Sequence, residues 1–228
     1  MQTTAVEDYV KAIYAYTEWQ PEPVTPSRLA TSLGLAASTV TEMVKKLSAQ
    51  GLVDHRPYGT IALTDEGRAL ALRQVRRHRL IETWLVQEHG YAWDEVHDEA
   101  EVLEHGMSDR LVESIAHALG DPERDPHGDP IPAVDGTTRQ PEATLLADAH
   151  EGYVGAVVRI SDADPELLRF LADQGVELDE RVRFVGRGRF TGGLTIEVGG
   201  AEHTVGDDVA ASIWLSAPCQ EPAHHHGD

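Results

Sequence analysis

Cysteine is nearly absent. Cys219 is the one thiol in 228 residues, which excludes an intrachain disulfide framework and any cysteine-rich zinc site. Long apolar runs are missing too: no stretch approaches the ~18 residues of a membrane span, and the N-terminus has no basic-then-apolar secretion signal. The expectation is a cytoplasmic protein. Positive charge is scarce, with 19 Lys and Arg against 39 Asp and Glu. The resulting formal charge of −20 argues, taken whole, against binding nucleic acid or an anionic membrane. Nor is there a Gly-x-Ser-x-Gly elbow, a Walker loop, a dinucleotide fingerprint or a His-Glu-x-x-His zinc motif. What is present, 41% hydrophobic and 25% charged residues, suits a globular chain of two or three small domains.

The charge is unevenly spread. Residues 1–80 hold 8 acidic residues and 10 Lys or Arg, whereas residues 81–228 hold 31 and 9. A basic N-terminal part can meet a polyanion if the acidic part faces away, so the segments are expected to have separate tasks.

Val6, Tyr9, Val10, Ile13 and Tyr16 recur at helical spacing over residues 4–19, and Pro21 and Pro23 end that helix. Thr25-Pro26 opens a short helix to about Leu33, Gly34 breaks it, and Ala37-Ser38-Thr39 starts another that ends at Gly51. Residues 52–56 and 60–64 around Pro57-Tyr58-Gly59 read as a hairpin, decorated by His55. Helix, helix, turn, helix and hairpin make the winged-helix plan. A long helix should run from Thr64-Asp65-Glu66-Gly67 to about His89, and another from about Asp94 to Leu119. Residues 120–142, with five prolines and three glycines, read as an extended linker. Strands are expected over 155–160, 181–186, 194–199 and 208–215, with a short helix over 165–174. Together they suit a barrel of about 65 residues. The tail 217–228 should be disordered.

Residues 78–105 are the most informative. His78 and Glu82 stand at i and i+4 on one helix face. His97, Glu101, Glu104 and His105 fall at i, i+4, i+7 and i+8, within an arc of about 100° at ~100° per residue. Apolar Val96, Leu103 and Met107 leave that stripe well defined. Imidazole with carboxylate, without thiolate, is a ligand mix for Mn²⁺, Fe²⁺, Zn²⁺ or Ni²⁺; a solvated polar face is the bland alternative. Composition alone makes Asp8 a surface carboxylate and His224-His225-His226 an adventitious tail.

Several motifs together resemble one family. They are Glu7-Asp8-Tyr9 with Ile13-Tyr14; the winged helix; His78-Arg79-Leu80-x-Glu82; the run from Trp93 through His97, Glu101, Glu104-His105, Met107 and Ser108; and Asp129-Pro130-Ile131-Pro132. The chain is similar over residues 5–132 to the diphtheria toxin repressor / iron-dependent regulator family, including its manganese-responsive transport regulators. Over 150–216 the likeness is architectural, to the SH3-like third domain of longer members. The resemblance implies an α+β chain: a winged helix-turn-helix over 1–64, an all-α dimerisation and metal-binding domain over 65–120, a linker over 121–152 and an SH3-like β-barrel over 153–216.

It further implies a regulatory metal site of Asp8, Glu101, Glu104 and His105 and an ancillary site of His78, Glu82 and His97, with Asp162, Asp164 or Glu166 lent by the third domain. The iron branch has Met and Cys where Asp8 and Glu101 stand, so hard oxygen donors here favour Mn²⁺ over Fe²⁺, with other divalent metals binding in vitro. Lys11 replaces a Glu of the two-domain manganese regulators, which puts their close-set pair of ions in doubt. Ser38, Thr39, Thr41 and Glu42 on the recognition helix would meet base edges, and Lys45, Lys46, Arg56 and Tyr58 phosphates. Glu42 stands where iron regulators carry Gln, and capping is the plain structural role for Thr39.

The expected function is a metal-dependent homodimeric repressor of palindromic operators, with two dimers per operator an option. The alternatives are an Fe²⁺-responsive member, a winged-helix sensor of a small organic ligand, and a metal-binding enzyme.

Overall fold

Apolar residues spaced by three and four bury one face of α1 (Thr4–Glu18) through Val6, Tyr9, Val10, Ile13 and Tyr14. The computed structural model describes residues 3–20, 22–55, 59–188 and 193–218. Its contacts divide the chain into two units, Met1–Ile81 with Ala100–Glu123 and Ile131–Thr138, and Glu82–Glu99 with Arg124–Pro130 and Arg139–Asp228.

In the first unit, α2 (Pro26–Ser32) starts at Thr25, whose hydroxyl accepts from Arg28 N, with Pro26 at the first helical position. Helix α3 (Ala37–Ala49) buries Val40, Val44 and Leu47. Strands β1 (Val53–His55) and β2 (Ile61–Leu63) pair antiparallel, Val53 opposite Leu63, and form the wing. Helix α4 (Asp65–His89) starts where Thr64 Oγ1 accepts from Gly67 N at 3.1 Å. Glycine is needed at 67 because a Cβ there would lie 1.9 Å from the Leu52 carbonyl oxygen. The shared core includes Ile13, Leu29, Leu47 and Val75. Each such fully buried aliphatic side chain contributes about 1.5–3 kcal/mol.

The single helix expected over 94–119 is two, α5 (Val96–Glu104) and α6 (Asp109–Ala118). The Arg77 guanidinium donates to the carbonyls of Glu104 (3.0 Å) and Met107 (3.2 Å), stabilising the end of α5, and the Ser108 hydroxyl caps α6. Leu80, Val112, Ala116 and Ile131 form a smaller core.

The second unit is a six-stranded antiparallel sheet of β3 (Ala143–Leu145), β4 (Val154–Ile160), β5 (Arg181–Arg187), β6 (Leu194–Val198), β7 (Ala201–Val205) and β8 (Ile213–Ser216), in the order β3-β8-β4-β5-β6-β7. Helix α7 (Pro165–Asp173) adds Leu168 and Leu171 to a core with Val157, Phe184, Ile196 and Leu215. The strand expected over 208–215 begins only at Ile213, because 207–210 form a helical turn, α8 (Asp207–Ala210). Strands β3 and β7 lacked a sequence signal: β3 is a three-residue edge strand, and β7 alternates too weakly. Within the stretch expected as a linker, Asp125, His127 and Asp129 are buried, and Ala143–Leu145 is strand. The tail from 219 onward, with His224–His226, lies outside the described residues. Among the described residues, no helix is long and apolar enough to cross a membrane.

Candidate metal centres

In the first unit, α1 and α5 bring four sequence-predicted residues together. Asp8 Oδ1 lies 3.2 Å from His105 Nε2, which is 3.6 Å from Glu104 Oε1. Asp8, Glu104 and His105 can each offer an atom to one ion, all within 4.8 Å of one another. Asp8 Oδ1 is buried without a hydrogen bond, and burial pushes this carboxyl up from its ordinary value against the pull of His105 and Lys11. A buried, unbonded carboxylate oxygen beside a histidine and a second carboxylate fits a divalent cation.

Lys11 stands inside the same cluster. Its Nζ lies 2.6 Å from Glu101 Oε1 and 2.7 Å from Glu104 Oε1. Burial favours its neutral amine, but the charges of Glu104 and Glu101 outweigh that and push its pKa up. Glu104 feels the reverse balance: burial favours the acid, yet the His78 hydrogen bond (2.7 Å to Nδ1) and Lys11 hold its carboxyl down. Helix α1 is fixed beside α4 by a buried pair in which Arg79 donates to Glu18 at 3.1 and 2.5 Å. Tyr14 donates to Glu18 at 3.1 Å, and burial with that carboxylate's charge pushes its hydroxyl up to about 12.

The expected ancillary trio draws on residues of both units. His78 belongs to the first unit, Glu82 and His97 to the second. In the second unit His97 Nδ1 is 3.3 Å from Glu82 Oε1 and 3.4 Å from Asp162 Oδ2. Hydrogen bonds to Asp162 and Glu82 raise His97 to about 10 against burial. The Asp162 carboxyl is held well below the carboxylate range: burial opposes this, but the His97 hydrogen bond and the charges of His127, His97 and Arg159 prevail. Of the three third-domain candidates, Asp162 alone joins the cluster. Asp164 caps α7, accepting from Glu166 N and Leu167 N, and Glu166 is exposed.

Sequence reasoning missed His127. Its side chain is fully buried, and with Glu82 and Asp162 it offers atoms within 4.8 Å of one another. The signal was a histidine flanked two residues either side by Asp125 and Asp129 inside a Pro/Gly-rich run.

On the winged helix, Ser38, Thr39, Glu42, Lys45 and Lys46 are exposed along α3, and Thr41 is half-buried with its hydroxyl donating to Ala37 O at 2.7 Å. Thr39 does not cap the helix, because Ala36 occupies the cap. Lys45 pairs with Glu42 at 2.7 Å. Thr25, Thr41, Lys45 and His55 line a groove of about 880 Å³ beside this helix. Arg56 and Tyr58 lie outside the described residues.

Three family models run along the chain. They are the iron dependent repressor N-terminal DNA binding domain (residues 1–61), the iron dependent repressor metal binding and dimerisation domain (64–133) and the FeoA domain (144–217). The diphtheria toxin repressor of Corynebacterium glutamicum is 30% identical over 219 residues, covering 91% of this chain and 93% of that one. The iron-dependent repressor IdeR of Mycobacterium tuberculosis is 34% identical over 211 residues, covering 86% and 90%. A solved manganese-dependent transcriptional repressor, in complex with manganese, superposes with a TM-score of 0.89 at 49% identity, covering 93% of this chain and 99% of that one. Winged helix, helical metal-binding region and SH3-like sheet domain thus follow one another as in these relatives, and the chain belongs to the diphtheria toxin repressor and iron-dependent repressor family of metal-dependent, DNA-binding transcriptional repressors.

Proposed function

We propose that this chain is a Mn²⁺-activated, homodimeric repressor that acts in the cytoplasm on palindromic operators and controls metal-homeostasis genes. The observation that carries this reading is the first-unit cluster. Asp8, on the first helix of the DNA-binding part, presents a buried, unbonded oxygen beside Glu104 and His105 at the end of α5. Every donor is a carboxylate or an imidazole, a set suited to Mn²⁺, and a relative of 49% identity is solved with manganese. When bound, a divalent cation neutralises these carboxylates and ties α1 to α5.

The protein's own residues set the two states. Without a cation, Asp8 faces the charges of Glu101 and Glu104, which disfavour the close approach of α1 to α5. Lys11 relieves part of that repulsion but cannot ligate. Fixing α1 fixes α3, which follows it in the same core, and so sets the spacing of the two recognition helices in a dimer. On this reading Ser38, Thr39, Thr41 and Glu42 meet bases, with Glu42 accepting from cytosine, while Lys45 and Lys46 meet phosphate, joined by Arg56 and Tyr58 of the wing. Residues 1–64 are the DNA-binding domain and 65–120 the dimerisation domain, with exposed Val102 (72%) and Leu111 (47%) as its apolar surface. Residues 121–142 lead to the third domain, whose sheet begins with β3 (Ala143–Leu145) rather than at the expected 153. Two dimers on one operator suit a reader whose half-sites repeat along one face of the duplex.

The test is an operator gel shift with Mn²⁺, Fe²⁺, Zn²⁺ and chelator. Retardation by Mn²⁺ at micromolar levels is expected. Metal-independent binding overturns the reading, and a response to Fe²⁺ alone overturns the manganese assignment.

A further inference from the structure

We propose that Lys11 is the specificity-determining residue of the first-unit cluster: its ammonium holds the carboxylate oxygens that an entering ion needs, and so excludes Mg²⁺ and Ca²⁺ while admitting an ion that also binds His105. This deepens the reading above and rests on it, since it takes the cluster to be a Mn²⁺ site.

Asp8 and Lys11 stand at i and i+3 on α1, so both side chains leave one helix face. The ammonium donates to Glu101 Oε1 at 2.6 Å and to Glu104 Oε1 at 2.7 Å. Glu104 is buried, and its other oxygen is already engaged, 2.7 Å from His78 Nδ1. An ion that binds both Glu104 and His105, whose Nε2 lies 3.6 Å from Glu104 Oε1, therefore has to take that oxygen from Lys11. Glu101 is partly exposed, which gives the flexible four-carbon stem a way to carry the ammonium out toward solvent. A tie between helices is not what Lys11 is needed for, because the buried Arg79–Glu18 pair already joins α1 to α4.

Without Lys11 the cluster would present three carboxylates, Asp8, Glu101 and Glu104, with one Asp8 oxygen buried and unbonded. That is a ligand set for hard, oxygen-seeking cations, and even the weak members of that class hold Ca²⁺ at about 10⁻⁴–10⁻³ M. Lys11 cancels one of the three negative charges and makes two of the carboxylates leave an ion pair before they can ligate. The cost is the same for every dication. It raises each dissociation constant by one factor, about tenfold for a partly buried pair of this kind. What remains differs from ion to ion. Mn²⁺ draws part of its affinity from the His105 imidazole, whereas Mg²⁺ and Ca²⁺ bind through oxygen. A uniform penalty thus pushes the oxygen-only binders beyond their working concentrations and leaves the imidazole-binding ion within reach.

Titration calorimetry of the full chain with Mn²⁺, Mg²⁺ and Ca²⁺, each alone, tests this. Lys11→Met keeps the length of the side chain and removes its charge. It should gain a site, filled by Mg²⁺ or Ca²⁺ at about 5 mM, that the wild type lacks, and its Mn²⁺ constant should tighten about tenfold. Adding Glu101→Ala should abolish the gained site, which places it in the first cluster, and Lys11→Arg should exclude both ions as the wild type does. Should Lys11→Met not fold by circular dichroism, Lys11→Gln takes its place. A folded uncharged variant that gains no Mg²⁺ or Ca²⁺ site, or whose gained site survives Glu101→Ala or appears equally in Lys11→Arg, overturns the proposal and leaves the repressor reading standing. A wild-type chain that binds no Mn²⁺ overturns both.

Discussion

The two clusters balance their carboxylates by different means. In the first unit a permanent cation does it: Lys11, 14% exposed, lies between Glu101 and Glu104, with His78 on the other oxygen of Glu104. In the second unit an imidazole does it, His97 facing Glu82 and Asp162. An ammonium whose pKa is pushed up stays charged and has no lone pair to give, so a metal must displace it. An imidazole becomes a ligand by losing one proton. The first cluster is therefore biased against filling, as suits a switch that answers to a threshold concentration. The second is convertible in place, as suits a resident ion.

Breaking the first cluster should have the largest consequence. Glu101→Ala is expected to cost the metal-activated increment of operator affinity, on the order of 100-fold, with dimerisation intact by sedimentation. The loss should appear only when metal is present, and an equal loss with chelator would mean that Glu101 serves folding. Next in size is Gly128→Ala. An alanine at φ +92° that also meets the Val158 carbonyl should lower unfolding free energy by at least about 2 kcal/mol and remove the second ion. Mn²⁺ dialysis beside urea unfolding distinguishes the clusters: the Glu101-dependent ion should survive.

Much of this was legible from the residues alone, because helical spacing and carboxylate–imidazole chemistry are local. The His97-Glu101-Glu104-His105 stripe stands where period 3.6 puts it, and Asp8 came from resemblance rather than pattern. What escaped was non-local. Apolar spacing runs on through residues 94–119 and outweighs the local signals of the turn, Gly106 and the Ser108 cap, while the Arg77 guanidinium that takes the carbonyls there comes from another helix. His127 sits in a run whose prolines and glycines signal a linker, and only the pairing of that run with β4 makes it an ordered loop. The choice of Asp162 over Asp164 likewise turns on the start of α7, where Asp164 is occupied as a cap. Polar β7 was invisible because an edge strand buries little.

Removing the built-in cation tests the contrast directly. Lys11→Ala should raise Mn²⁺ affinity at the first cluster about tenfold, the worth of one displaced ion pair of about 1.4 kcal/mol, and narrow the gap between the two dissociation constants. The metal-free chain should become less stable in urea, because Glu101 and Glu104 then repel without a partner. Isothermal titration of wild type and variant at matched salt reads both constants. An unchanged first constant would mean that Lys11 is displaced at no cost.

The smallest effect concerns the second cluster without metal. His97 is raised from its ordinary 6.5 to about 10 by hydrogen bonds to Asp162 and Glu82. A folded-state pKa above the unfolded one means that the protonated form is what folding favours. The stabilisation is then complete below about pH 6.5 and is lost as pH rises through about 10. Its side chain is 45% exposed, so solvent screens the pairs, and the melting temperature should change by about 2 °C or less over that window. His97→Gln should flatten this part of the profile, and proton NMR of the His97 ring should show a midpoint near 10. No comparable loss is expected from the first cluster before its lysine titrates, because Lys11 is shifted upward from the higher value of 10.5. A His97 midpoint near 6.5 would remove the contrast, since the imidazole would then be neutral at pH 7 and the second cluster would carry its carboxylates uncompensated on that side.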